Sequence, residues 1–155
     1  MELKELNKEK VCDILNEIME FELAGVVRYT HSSLMVVGPH RIPIVQFLQE
    51  QAAESLQHAQ TAGEFLTGLD GHPSQKIASI IETNDHSIKG ILEESLEHEV
   101  YALGLYKKLL PIVEDSSIYL EEYTRNLIGQ EEQHQLELRK ICLLYTSPSP
   151  RDSLE

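Results

Sequence analysis

The stretch Leu120-Glu-Glu-Tyr-Thr-Arg-Asn-Leu-Ile-Gly-Gln-Glu-Glu-Gln-His-Gln-Leu-Glu-Leu-Arg-Lys-Ile141 spaces its apolar residues as an α-helix does. Stepping alternately three and four residues along it selects Leu120, Thr124, Leu127, Glu131, His134, Leu138 and Ile141. That spacing is the inward seam of a helix in a bundle. The seam is apolar at both ends and is broken in the middle by a carboxylate and an imidazole. An ionised carboxylate buried without a partner costs several kcal/mol or takes up a proton, so Glu131 needs a partner from elsewhere in the chain.

Three further segments have the same form. With breakers at only a few places, the pattern predicts four helices, α1 over 8–36, α2 over 43–68, α3 over 84–110 and α4 over 115–141. The seam of α2 is Phe47, Gln51, Glu54, His58, Thr61 and Phe65, again Glu followed by His. The seams of α1 (Leu15, Ile18, Glu22, Val26, Tyr29, Ser33) and α3 (Leu92, Leu96, Glu99, Leu103, Tyr106, Leu110) are each interrupted by Glu followed by Tyr. Four carboxylates and two imidazoles therefore aim at one core, and two divalent cations would neutralise all four acids. Nitrogen and oxygen donors together suit iron, manganese or zinc better than calcium.

An internal repeat supports this reading. Glu22, Tyr29 and Glu54 recur 77 positions later as Glu99, Tyr106 and Glu131. His58 breaks the register, because its counterpart is His134 and not position 135. The Glu/His pair is thus four residues apart in α2 and three in α4. Either spacing shares a helical face, and a π-bulge within 52–60 is the expected way to absorb the extra residue. Tyr29 and Tyr106 either fill core volume or orient the carboxylates. Glu20, Glu97, Glu132 and Glu121-Glu122 fall off the seams and read as solvated, as do His31, His40, His72, His86 and His98.

The breakers set the topology. Gly38-Pro39 ends α1 and Pro43 suits the first turn of α2, so α1 and α2 are antiparallel neighbours. Asn84 or Asp85 is the expected cap of α3, Pro111 its expected end, and a short turn returns the chain as α4. Residues 69–83 can extend to about 50 Å. A 26-residue helix is about 39 Å long, so the connector can carry the chain back along the bundle. The expected layout is hairpin, crossover, hairpin in a single domain over 1–141. The string Cys142-Leu-Leu-Tyr-Thr-Ser-Pro-Ser-Pro-Arg-Asp-Ser-Leu-Glu155 leaves the helical pattern and resembles the translation of a sequencing adaptor. Residues 142–155 therefore read as a non-native, disordered tail.

With 13 Lys plus Arg against 26 Asp plus Glu, a formal charge of −13 argues against nucleic acid and anionic membranes as partners. Cys12 and Cys142 are too few for a disulfide framework. Neither a secretory signal nor a run of about 20 apolar residues is found, and the chain reads as cytoplasmic.

Glu22-Leu-Ala-Gly-Val-Val-Arg-Tyr29, Glu54 with His58, Glu99, and Glu131-Glu-Gln-His134 resemble the ferritin-like superfamily, nearest to the bacterioferritins. The superfamily pattern is a lone Glu from each of two helices and Glu-x-x-His from each of the other two. α4 matches it; α2 has Ser55 at the three-residue position, leaving Glu54 or Ser55 to face the site. The resemblance implies that Glu22 and Glu99 are terminal ligands, that Glu54 and Glu131 bridge two iron ions, and that His58 and His134 each hold one. It also implies Fe(II) oxidation by oxygen or peroxide, for storage or detoxification, in a homo-oligomer that is a dimer or a cage. Leu56 stands where haem-binding bacterioferritins have Met, so no haem is expected. Two other readings remain: a rubrerythrin-like peroxide- or oxygen-reducing enzyme, disfavoured by the missing four-cysteine site, and a metal-stabilised helical interaction module without redox turnover.

Overall fold

A computed structural model describes residues 2–146, with side chains through Leu143. Within them the chain is a four-helix bundle: α1 Lys8–Met35, α2 Arg41–Gly68, α3 Ile88–Val113 and α4 Ile118–Thr146. The all-α bundle expected from the sequence is the fold observed.

Local chemistry fixes several of the ends. The Asn7 side chain caps α1 by accepting from the Lys10 amide at 3.2 Å, and Gly38 takes the left-handed φ of 105° that the turn into α2 requires. α2 stops in a Schellman closure, in which the Gly71 amide bonds to the Leu66 carbonyl at 2.9 Å and the Asp70 amide to Thr67 at 3.0 Å. The chain then crosses back along α1. The Asn16 side chain bonds to the His72 carbonyl and the Ser74 amide, and the Ala78 amide bonds to the Glu20 carbonyl at 3.0 Å. His86 ends this run beside His31 in the last part of α1. α3 consequently descends antiparallel to α1 and parallel to α2, with Lys108 pairing Glu17 at 3.1 Å near the other end.

Four expectations about ends and regularity are corrected. Ser87, not Asn84 or Asp85, caps α3, its hydroxyl accepting from the Gly90 amide at 3.0 Å; Asn84 has φ 59°, and Asp85 instead accepts from Ser87. Pro111 does not close α3. The helix runs through it to Val113, because proline's φ is helical and only one backbone bond is lost. Nor is there a π-bulge, since α2 is α-helical without a break from Arg41 to Gly68. α4 also continues beyond Ile141 to Thr146, with Cys142 buried against Leu92 and Leu138, so the helical pattern outlasts its expected end. Residues 147–155 of the expected tail lie outside the described residues.

Apolar packing divides into zones. One large cluster, with Leu15, Ile18, Leu66, Leu109 and Leu127, fills the half of the bundle that holds the start of α1. Two smaller ones, around Leu48 with Ile91 and around Leu92 with Leu138, fill the other half. The acids of the seams lie between them.

Candidate metal centre

Glu22 from α1, Glu54 and His58 from α2, Glu99 from α3, and Glu131 and His134 from α4 converge midway along the bundle. His58 Nδ1 lies 3.2 Å from Glu22 Oε2 and 3.4 Å from Glu131 Oε1, with Nε2 3.8 Å from Glu54 Oε1. His134 Nε2 lies 3.0 Å from the same Glu54 oxygen, and its Nδ1 lies 3.9 Å from Glu99 Oε2 and 3.8 Å from Glu131 Oε2. Two overlapping sets, Glu22/His58/Glu131 and Glu99/Glu131/His134, each bring three ligand atoms within 4.8 Å of one another. Glu131 belongs to both and is only 1% exposed.

The spacing of four in α2 needs no bulge. Glu54 reaches the imidazoles from the flank of its helix with a side chain still 31% exposed, while Ser55 is buried against Gly25 of α1. The side chain that faces the histidines is thus Glu54. The two tyrosines differ. The Tyr29 hydroxyl donates to Glu99 Oε1 at 2.6 Å, whereas the buried Tyr106 hydroxyl has no partner among the described residues.

His98 departs most from the sequence reading. His31, His40 and His72 are exposed and His86 is half-buried, but His98 is 2% exposed. Its ring stacks on Phe21 with centroids 4.1 Å apart and planes at 14°. The seam rule missed it because His98 lies on the flank of α3 that packs on α1. The repeat could have found it, since a shift of 77 pairs position 98 with Phe21, a position for a buried ring.

A model of the ferritin-like domain matches residues 12–144. The chain belongs to the ferritin-like family. No curated protein matches it in sequence. Several solved structures share the ferritin-like fold. A ferritin-like, diiron-carboxylate protein from Bacillus anthracis str. Ames superposes with a TM-score of 0.81 at 20% identity, over 87% of this chain and 96% of the other. The bacterioferritin-related dodecameric thioferritin of Bacteroides fragilis gives 0.78 at 20%, over 88% and 86%. A Rhodobacter capsulatus bacterioferritin with a metal-free dinuclear site and haem iron gives 0.78 at 24%, over 98% and 92%.

In this ferritin-like chain the centre has its own electrostatics. Burial pushes the Glu131 carboxyl up to about 9, against the His134 ring 3.8 Å away and with the help of Glu99. Burial acts on Glu99 too, but the neighbouring His134 and Glu131 and the Tyr29 hydroxyl outweigh it and hold Glu99 down to about 2. The carboxylates of Glu131, Glu54 and Glu99, at 3.8, 3.0 and 3.9 Å from its ring nitrogens, raise His134 to about 12. Burial would lower His58, yet the hydrogen bond to Glu22 and its charge prevail and raise it. Glu22 is itself raised, chiefly by burial. Without metal, then, burial and the neighbouring acids favour the protonated forms of Glu131, His134 and His58.

These residues also suit a pair of cations. Glu131 Oε2 and His134 Nδ1 are buried without a hydrogen-bond partner, and such atoms in a native core call for an ion, a water or a catalytic role. The donor set of four carboxylates and two imidazoles matches mixed-ligand transition-metal sites.

Proposed function

We propose that this ferritin-like centre takes up two Fe(II) ions and oxidises them with oxygen or hydrogen peroxide, for storage or detoxification of iron. The observation that carries the reading is the overlap of the two three-residue sets at Glu131. Bound there, a pair of Fe(II) ions supplies one electron each to an oxidant that takes two.

The chain's own part follows from its geometry. Glu22 and Glu99 would each serve one metal position and Glu131 both, with Glu54, within 3.8 Å of both imidazoles, available to either. His58 and His134 would hold the metals as neutral nitrogen ligands, and Glu131 as a carboxylate freed of its proton. The apolar clusters on either side restrict water and make each of these charge interactions stronger than it would be in solvent.

The Bacteroides fragilis relative is described as dodecameric, which supports a homo-oligomer for this chain. The Rhodobacter capsulatus relative carries haem iron; here Leu56 offers no thioether, and no Soret band is expected in the purified protein. Fe(II) oxidation followed by the ultraviolet absorbance of Fe(III) tests the activity. The wild type should oxidise Fe(II) well above the background rate and the Glu54→Ala, Glu131→Ala variant should not. Equal rates would contradict the reading. Iron that co-elutes with the protein afterwards would distinguish storage from turnover alone.

A further inference from the structure

The two halves of the repeat hold their lone carboxylates differently. Glu99 accepts a hydrogen bond from Tyr29 at 2.6 Å, yet Tyr106, the repeat mate of Tyr29, leaves its buried hydroxyl without a partner among the described residues. Glu22, the mate of Glu99, is tied instead to His58 at 3.2 Å. The ring beside Tyr29 is His98, where Tyr106 instead meets Tyr123 at 6.4 Å and 80°. It faces Tyr29 edge to face, with centroids 5.4 Å apart and planes at 74°, and stacks at 4.1 Å on Phe21, its own repeat mate. Gly25 lets the imidazole lie against α1, for an added Cβ would stand 2.6 Å from His98 Nε2 and 3.0 Å from its Cε1. A neutral imidazole with both nitrogens unpartnered in the core is an expensive choice for packing alone.

We propose that His98 is a positioning residue: seated on Gly25 and Phe21, it holds the Tyr29 ring so that its hydroxyl stays on Glu99, and so prepares the Glu99/Glu131/His134 metal position ahead of the Glu22/His58/Glu131 one. Residues that orient a ligand from behind commonly change metal affinity by about 10–100-fold. Here the effect reaches only one of two positions, because only one of the two tyrosines is engaged. The inference rests on the two-metal reading of the centre and adds an order to it.

The test is a titration of the metal-free protein with Co(II), followed by its visible absorbance and needing no turnover. The wild type should show two phases. His98→Leu, which keeps the buried volume but removes the flat ring, should weaken one phase about tenfold and leave the other within about twofold. Tyr29→Phe should weaken the same phase, and the double variant should be no worse than the weaker single one, because both act through one hydroxyl. His98→Phe, which restores a flat ring, should recover the phase. Unchanged phases in His98→Leu, losses that multiply in the double variant, or no recovery with His98→Phe would each overturn the proposal. A wild type that takes up no Co(II) would instead overturn the reading of the centre on which it rests.

Discussion

At Glu131 burial and a neighbouring carboxylate act together, and the acid keeps a proton that two cations would have to displace. Glu131→Gln copies the neutral acid in shape and charge. It should therefore change the thermal stability of the metal-free protein by less than about 1 kcal/mol, while metal uptake falls from two ions to at most one. Calorimetry with elemental analysis checks both. The pH dependence follows from the same group and its neighbours. Glu131 is raised from 4.5 to about 9, so its contribution to stability is complete below 4.5 and lost as pH rises through 9. His134 is raised from 6.5 to about 12, so its contribution fades above 6.5. Glu99 is lowered to about 2, and its contribution, lost only as pH falls through that value, is constant above 4.5. The metal-free protein should melt at a lower temperature at pH 8.5 than at pH 6, and the gap to the metal-loaded protein should widen over that interval. A gap that narrows would contradict this assignment of protons. The six converging residues were legible in the sequence because each interrupts an apolar seam. His98 was not, because a seam drawn for the bundle axis ignores the flank where α3 meets α1. Nor could spacing show that the surrounding acids raise both histidines.

Among the elements, α3 depends most on its ends. Ser87→Ala removes the side chain that satisfies the Gly90 amide and should cost about 1 kcal/mol, whereas Asn84→Gly, which removes that side chain but keeps the left-handed φ of 59°, should not. Denaturant unfolding of the two variants compares them directly. Gly25→Ala drives a methyl group into the His98 ring and should destabilise the protein by about 1–3 kcal/mol. The number, order and direction of the helices were readable from few residues: Gly38-Pro39, the connector after Gly68 and the turn after Pro111. Their ends were not, because a helix stops where its last amides and carbonyls find partners. Ser87 takes that role from Asn84, and a proline in the last turn of α3 sacrifices a single bond. The expected π-bulge failed for a related reason, since a glutamate side chain is long enough to absorb one residue of register that the backbone need not.

For the molecule as a whole, the repeat places related pairs of helices around one centre, and the apolar clusters at its two ends supply the packing that the charged middle lacks. Helix α4 contributes to both, and Cys142, beyond the stretch that first identified it, joins the cluster around Leu92 and Leu138. A chain ending at Thr146 should be more stable than one ending at Ile141 by about 1 kcal/mol, the order expected for burying a side chain the size of Cys142. Among the described residues no helix is long and apolar enough to cross a membrane, and the charge of −13 favours cations around the whole molecule. Neither property locates the metal; only the six side chains do. The most direct measurement is therefore the number of Fe(II) ions bound per chain without oxygen, in the wild type and in the Glu54→Ala, Glu131→Ala variant. Two ions in the wild type and none in the variant is the expected result; no ions in the wild type, or equal binding in both, would contradict a two-metal centre at these residues.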